Sequence, residues 1–67
     1  MNIFINGNLN QLESDNVTIL ALIVMLNLTG KRLAIEKNGE IVPRSQFDSV
    51  IISDGDKLEI VGAVGGG

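Results

Sequence analysis

The sequence predicts an α+β fold in which a mixed sheet of four to five strands carries one main helix on one face. Apolar and outward residues alternate near both ends of the chain and in its middle, as expected for strands with one buried face. Two Asn-Gly pairs, at residues 6–7 and 38–39, are typical of the tight turns of β-hairpins. A single apolar run, Ile19 to Leu26, lies between these turns and is long enough for a buried helix.

The N-terminal segment predicts the first β-hairpin. Residues 1, 3 and 5 are apolar and share one face, so the side chain of Phe4 is expected on the outward face of the sheet. The alternative is a core position for Phe4, because the register is inferred from alternation alone. Asn6-Gly7 tolerates the positive φ angles of a two-residue turn. The second strand is expected over residues 9–13.

The central apolar run predicts the main helix, from Ile19 to about Leu28. Thr18 precedes the run and is expected to be the N-cap, because its hydroxyl can accept a hydrogen bond from the first turn. Gly30 is expected to end the helix, followed by two cations that suit the negative end of the helix dipole. The residues expected to face the sheet are Ile19, Leu22, Ile23 and Leu26. The apolar residues left without a predicted partner are Leu20, Val24 and Met25.

A second hairpin is predicted over residues 33–42. Leu33 and Ile35 are expected to point inward and Ala34 to point outward, because side chains alternate along a strand. The second Asn-Gly pair supplies the turn.

The chain after this hairpin is expected to leave the sheet and then return. Pro43 cannot donate a hydrogen bond to a neighbouring strand, so a turn or a single helical turn is expected there, with Phe47 plugging the core. Extended segments are predicted over residues 50–52 and 57–61, joined by a sharp Asp-Gly-Asp turn.

This order of elements is typical of the ubiquitin-like β-grasp fold. The first and last strands are expected to lie side by side in the middle of the sheet, with the helix across one face. Residues 1–61 form the predicted β-grasp domain. Residues 62–67 are predicted to be a flexible C-terminal tail, because glycine gives the backbone too much freedom to order itself.

Composition excludes several classes of function. The 67 residues make one small domain with no Cys and no His, which excludes disulfides, thiolate catalysis, His general bases and the usual zinc ligand sets, so no metal site is predicted. A net charge of −3 without a Lys or Arg cluster argues against nucleic acid or an anionic membrane as partners. No apolar run approaches the roughly 20 residues of a membrane span, and no secretion signal is recognisable, so a cytoplasmic location is expected.

The polar motifs of the folded part have structural explanations. The Asp-Gly-Asp turn at residues 54–56 has too few oxygen ligands for a calcium loop and is typical of a tight turn. Ser14 and Ser45 have no recognisable partner that would activate a nucleophile. Arg44 is expected to be solvated or to form a local ion pair. No independent catalysis is therefore expected.

The last residues are the strongest candidates for function. Gly65, Gly66 and Gly67 would present an unhindered carboxylate on a segment without side chains, and residues 62–67 could extend about 20 Å at roughly 3.3–3.6 Å per residue. That reach would thread a narrow tunnel into another protein's active site. A frayed or added terminus is the simpler interpretation for an arbitrary protein. The position directly after the last core strand of this fold favours the functional interpretation.

Several short segments occur in a characteristic order, namely Asn6-Gly7, Asn38 to Ser45, Asp54-Gly55-Asp56, Glu59-Ile60-Val61 and Val64 to Gly67. Each is a weak motif by itself, but their order, spacing and total length are specific and cover nearly the whole chain. Together they resemble the sulfur carrier proteins of thiamine biosynthesis, the ThiS family. The helix differs, because it is more uniformly apolar than the resemblance leads us to expect.

The resemblance implies a protein that acts as a co-substrate and not as an enzyme. An adenylating partner similar to the ubiquitin-activating enzymes, ThiF, would use ATP to activate the Gly67 carboxylate, so the chain itself would bind no cofactor. A cysteine desulfurase or another persulfide donor would then displace AMP and leave a thiocarboxylate at Gly67. That sulfur would pass to thiazole synthase, ThiG.

The resemblance also implies that Gly65 and Gly66 thread the partner's active site. Fixing six tail residues would cost about 6–12 kcal/mol at roughly 1–2 kcal/mol each, so a patch on the folded domain has to add to binding. The residues expected to form this docking surface are Phe4, Ala34, Val61, Ala63 and Val64.

Three alternatives stay open. A carrier similar to the small subunit of molybdopterin synthase would share the fold and the diglycine end, although such carriers are typically longer. A ubiquitin-like tag would become joined to lysines of target proteins. A passive β-grasp interaction module would tolerate removal of Gly66 and Gly67.

Overall fold

The computed structural model describes residues 1–62, and the predictions made for residues 63–67 lie outside the described residues. Its elements in chain order are β1 (Asn2–Ile5), β2 (Asn8–Gln11), β3 (Val17–Thr18), α1 (Ile19–Met25), β4 (Leu33–Lys37), β5 (Glu40–Ile41), a short 3-10 helix (Arg44–Gln46), β6 (Ile51–Ile52) and β7 (Lys57–Gly62). The last strand thus runs one residue beyond its predicted end at Val61.

The main sheet has five strands in the order β2-β1-β7-β4-β5. β1 and β7 run parallel at its centre, whereas the other neighbouring strands are antiparallel. This confirms the predicted mixed sheet with the first and last strands side by side. Asn6-Gly7 and Asn38-Gly39 have positive φ at both residues, as the predicted two-residue hairpin turns require.

A second, two-stranded sheet pairs β3 with β6 in antiparallel register, with Val17 opposite Ile52. The sequence patterns predict the extended segment at residues 50–52 but not its partner. A two-residue strand is too short to show alternation, so only the fold identifies β3. Val17 and Ile52 are both buried and tie the start of the helix to the chain that precedes β7.

The main helix α1 packs its inward side chains into one core with the sheet. Ile19, Leu22 and Ile23 are buried as predicted, and Leu26 is partly buried against the same core. This confirms the inward face predicted for the helix. The buried apolar residues of the core are Ile3, Val17, Ile19, Leu22, Ile23, Leu33, Ile35, Val42, Ile52, Leu58 and Ile60.

The start of α1 is as the sequence predicts. The hydroxyl of Thr18 accepts a hydrogen bond of 3.0 Å from the backbone N–H of Ala21. This satisfies one of the N–H groups that the first turn of a helix leaves without a backbone partner. Leu20, Val24 and Met25, which had no predicted partner, are exposed.

The predicted end of the helix was wrong. α1 stops at Met25 and does not continue toward Gly30. Asn27 adopts the left-handed conformation, with φ of 61°, and the N–H of Leu28 reaches back to the carbonyl of Ile23 at 3.0 Å. Asn27 therefore takes the role that glycine commonly has at a helix end. The two cations after Gly30 lie outside the last turn.

Phe47 lies at the margin of the core and does not plug it. The predicted helical turn after Pro43 is present as the 3-10 helix, and Phe47 follows it, only partly buried. The carbonyl of Phe47 accepts a hydrogen bond of 2.8 Å from the N–H of Leu20. This bond holds the segment beside the start of α1, at the side of the space between helix and sheet.

Candidate functional site: the open sheet face

The face of the main sheet that points away from α1 carries exposed side chains, and we call it the open sheet face. Residues directly opposite each other on neighbouring strands point to the same face, so the register identifies its members. The pairs on the open sheet face are Phe4 with Leu9 and with Lys57, Glu36 with Ile41 and with Glu59, and Ala34 with Val61.

Three of the five predicted docking residues, Phe4, Ala34 and Val61, are exposed on the open sheet face. Ala34 and Val61 are directly opposite, at the end of β7 from which residues 63–67 continue. Phe4 lies opposite Lys57 at the other end of β7, about 13 Å away along the strand at roughly 3.3 Å per residue. The predicted site residues that lie outside the described part are Ala63, Val64, Gly65, Gly66 and Gly67.

The open sheet face includes two apolar residues that sequence reasoning missed. Leu9 is 62% exposed beside Phe4, and Ile41 is 73% exposed on the edge strand β5. A usable signal existed for Leu9. The two-residue turn of the first hairpin pairs Ile5 with Asn8 and therefore Phe4 with Leu9, whatever the alternation in β2.

Two negatively charged side chains are neighbours on the open sheet face. Glu36 and Glu59 are directly opposite on β4 and β7, an arrangement that is destabilising for like charges. Both side chains are exposed to solvent, which screens the repulsion. A notch of about 380 Å³ opens nearby and is lined by Phe4, Gly7, Lys57, Leu58 and Glu59.

Two asparagines contact the backbone of β7, one near each end. The side chain of Asn38 accepts a hydrogen bond of 2.9 Å from the N–H of Lys57, where the strand begins. The side chain of Asn6 bonds both the N–H and the carbonyl of Ile60, at 2.8 and 2.9 Å. Side chains therefore hold the strand that leads to the C-terminal residues, in addition to its neighbouring strands.

Asp56 is buried at the base of β7 and has a structural role. Its carboxylate accepts hydrogen bonds from the N–H of Ser53 at 2.8 Å and from the side chain of Asn38 at 2.9 Å, and it lies 3.8 Å from the Lys37 ammonium. Burial alone would raise the pKa of Asp56, but these hydrogen bonds and Lys37 outweigh it and lower the pKa below its ordinary value. Asp54 accepts a backbone hydrogen bond from β1. The Asp-Gly-Asp segment is thus a structural turn, as predicted.

Asp56 should make the free energy of unfolding depend on pH in the acidic range. Because its pKa is lower in the folded chain, the ionised carboxylate stabilises the fold above the unfolded pKa, and this contribution is lost as pH falls through the folded pKa. We expect Asp56→Asn to lower the free energy of unfolding by about 1–3 kcal/mol at neutral pH, because one of the two acceptor oxygens of this buried side chain becomes an N–H donor. Urea unfolding should show that the difference in free energy of unfolding between the variant and the unaltered chain is smaller at about pH 2 than at neutral pH.

The matched control is Asp48→Asn, at an exposed carboxylate. It should change the free energy of unfolding by less than about 0.5 kcal/mol, as is usual for surface substitutions. An Asp56→Asn deficit of the same size at both pH values would contradict the role assigned to the ionised carboxylate.

The remaining surfaces of residues 1–62 include a shallow groove but no cluster of metal-binding side chains. A shallow groove of about 470 Å³ lies between α1 and the 3-10 helix, with Leu20, Phe47, Lys31 and Arg44 among its lining residues. In this described part, no group of three or more carboxylate, His or Cys residues could hold a metal ion. None of its helices is long and apolar enough to cross a membrane.

These features define the class of protein. The five-stranded mixed sheet with one helix on a single face is a ubiquitin-like β-grasp fold, and its central last strand leads directly into a glycine-rich segment. The chain belongs to the ThiS family, whose model matches residues 3–67.

Three known proteins show what this chain is similar to. The sulfur carrier protein ThiS of Bacillus subtilis is 35% identical over 63 residues, which cover 94% of this chain and 96% of that protein. The crystal structure of the thiamine biosynthesis protein ThiS of Geobacter metallireducens matches with a TM-score of 0.88 at 29% identity, over all of both chains. A thiazole synthase of Paramagnetospirillum magneticum is 43% identical over all 67 residues, but this chain spans only 20% of its length.

Proposed function

We propose that the chain is a sulfur carrier of thiamine biosynthesis, with the carboxylate of Gly67 as the group that is activated and loaded with sulfur. The observation that carries this proposal is the match to the ThiS family through residue 67, the last of three consecutive glycines. The 35% identity to the Bacillus subtilis sulfur carrier, over 96% of that protein, supports the same role for this domain.

The proposed chemistry begins with adenylation. The Gly67 carboxylate attacks the α-phosphate of ATP on an activating enzyme, ThiF, and pyrophosphate leaves. The terminal sulfur of a persulfide on a cysteine desulfurase or another donor then attacks the acyl carbon and displaces AMP, which leaves an acyl disulfide. A second thiol of the donor, or a thiol reductant, cleaves the S–S bond and forms a disulfide with the donor sulfur, and the carrier ends as a thiocarboxylate. Glycine suits this position because no side chain obstructs attack at its acyl carbon.

In this proposal the chain is a co-substrate and its partners are the enzymes. It binds no cofactor of its own, since ATP is held by the activating enzyme, and the reactions take place in the cytoplasm. The composition supports this division, because a chain without Cys or His offers few groups for acid–base or nucleophilic catalysis.

The open sheet face is the proposed docking surface for the activating enzyme. Its exposed apolar residues include Phe4, Leu9, Ile41 and Val61, with Val61 one residue before the end of β7. Binding through this face would place the segment after Gly62 at the partner's active site. Aromatic residues are enriched among those that dominate binding energy, so Phe4 is the proposed anchor.

Thiazole synthase, ThiG, is the proposed acceptor of the sulfur. The support is that a segment similar to this entire chain occurs within thiazole synthases of two organisms, Paramagnetospirillum magneticum and Magnetococcus marinus. A carrier domain and an acceptor enzyme that share one polypeptide would meet at high effective concentration. Separate chains would meet by binding.

The test is the intact mass of the protein purified with its native C-terminus from thiamine-starved cells. We expect a fraction in which one oxygen is replaced by sulfur, and fragmentation should locate the change at Gly67. An unmodified Gly67 while thiazole is being made would overturn the proposal. Isopeptide-linked ladders on a denaturing gel would instead indicate a ubiquitin-like tag, and sulfur transfer into molybdopterin would indicate the related carrier.

A further inference from the structure

The central pair of strands, β1 and β7, differs in length. β1 ends at Ile5, opposite Leu58, and the chain then reverses in the first hairpin turn. β7 continues for four more residues to Gly62. On its other side β7 stays paired with β4 up to Gly62, which lies opposite Leu33. The part of β7 next to the C-terminal residues therefore has a neighbouring strand on one side only.

The side chain of Asn6 fills the place that β1 vacates. The backbone N–H of Asn6 donates to the carbonyl of Leu58 at 2.8 Å, which is the last backbone bond of the parallel ladder. In a regular parallel ladder, the carbonyl of residue 6 would next accept a hydrogen bond from the N–H of Ile60. The N–H of residue 8 would then donate to the Ile60 carbonyl. The carboxamide of Asn6 makes both bonds instead, at 2.8 and 2.9 Å.

Asparagine is suited to this role for two reasons. Its carboxamide has the same acceptor and donor as a peptide unit, so it can replace one unit of backbone. Asn6 also has a φ of 50°, in the left-handed region that Asn tolerates better than most residues. The chain can thus turn at Asn6 while the hydrogen bonds to β7 continue one step further.

We propose that Asn6 is a positioning residue for the carrier reaction: its carboxamide holds Ile60, two residues before the end of β7, and so fixes the point from which the C-terminal residues leave the fold. This inference rests on the proposed function, because a fixed starting point matters only if those residues have to enter a partner's active site. If the end of β7 is misplaced, Gly67 reaches the reacting position in a smaller fraction of the bound complexes.

Asn38 provides a matched control in the same molecule. It is also the first residue of an Asn-Gly turn, with a φ of 53°, and its side chain also accepts a hydrogen bond from a β7 amide, that of Lys57 at 2.9 Å. Lys57 is the first residue of β7, at the end remote from Gly62. The two asparagines thus share turn type and a bond to a β7 amide but hold opposite ends of the strand, and Asn38 differs in that its side chain donates to the Asp56 carboxylate at 2.9 Å.

The experiment compares Asn6→Gly with Asn38→Gly. Glycine tolerates the positive φ of both turns, so both variants retain the hairpins and lose the side-chain contacts. Amide hydrogen exchange should show faster exchange of the Ile60 N–H in Asn6→Gly and of the Lys57 N–H in Asn38→Gly. This readout does not depend on any partner.

The functional readout is adenylation by the activating enzyme, measured as ATP–pyrophosphate exchange. For Asn6→Gly we expect kcat to fall about three- to tenfold with little change in KM, because the open sheet face is intact and only the presentation of Gly67 is impaired. For Asn38→Gly we expect kcat within about twofold of the unaltered chain, after correction for the folded fraction.

The two measurements separate the positioning role of Asn6 from the carrier function. Equal effects of the two variants on kcat, or faster exchange at Ile60 without any change in kcat, would overturn the positioning role and leave the carrier function standing. Failure of the unaltered chain to be adenylated at all would overturn the carrier function, and the positioning role with it.

Discussion

Deleting Gly66 and Gly67, or adding one residue after Gly67, is expected to abolish thiocarboxylate formation, with a loss of at least about a thousandfold in the rate of adenylation. The reason is positional, because reaction needs the carboxylate within near-attack distance of the phosphate, and one residue displaces it by roughly 3.3–3.6 Å. The measurement is ATP–pyrophosphate exchange with the activating enzyme, followed by the intact mass of the product.

The fold should be unaffected by these changes. The eleven buried apolar residues found in the described part of the chain, residues 1–62, are unchanged in these variants, so the midpoint of urea unfolding should match that of the unaltered chain. A shortened chain that still exchanges pyrophosphate at a near-normal rate would contradict the role of Gly67. Retained binding to a partner without any adenylation of either chain would favour the passive interaction module.

Phe4→Ala is expected to raise the KM for the activating enzyme about 30-fold, which corresponds to roughly 2 kcal/mol for an aromatic anchor at an interface. Phe4 is 36% exposed and points away from the core, so its truncation should leave the packing of α1 on the sheet intact. The measurement is steady-state adenylation at varied carrier concentration, together with urea unfolding of the variant.

The control is Val24→Ala, which also shortens an exposed apolar side chain, but on the outward face of α1. Its KM should stay within about twofold of the unaltered value if docking uses the open sheet face. The reverse result, a raised KM for Val24→Ala and a normal KM for Phe4→Ala, would move the docking surface to the helix.

The two ends of α1 show where local sequence is a sufficient guide. Thr18 is an N-cap in the structure as predicted, because the capping bond joins residues three apart and needs no other part of the chain. At the other end both Asn27 and Gly30 could adopt a positive φ, and both do. The helix stops at the first of them, and the apolar run by itself did not indicate which one.

The pairing of strands also shows how far local sequence can predict the structure. Alternation and the two Asn-Gly turns were enough to predict β1, β4 and β7, since strand period and turn geometry are properties of short segments. β3 and the margin position of Phe47 depend on contacts with distant residues, and no short pattern encodes them.

The sequence by itself determined the order of the main strands and the helix, the outward direction of Phe4, Ala34 and Val61, and the glycine-rich end of the chain. These follow from local periodicity, turn chemistry and composition. Only the tertiary structure decided that Phe4 and Val61 lie at opposite ends of the open sheet face, and that Asn6 replaces a missing strand beside Ile60. The physical reason is that residues 54 positions apart become hydrogen-bonding neighbours only when the first and last strands pair.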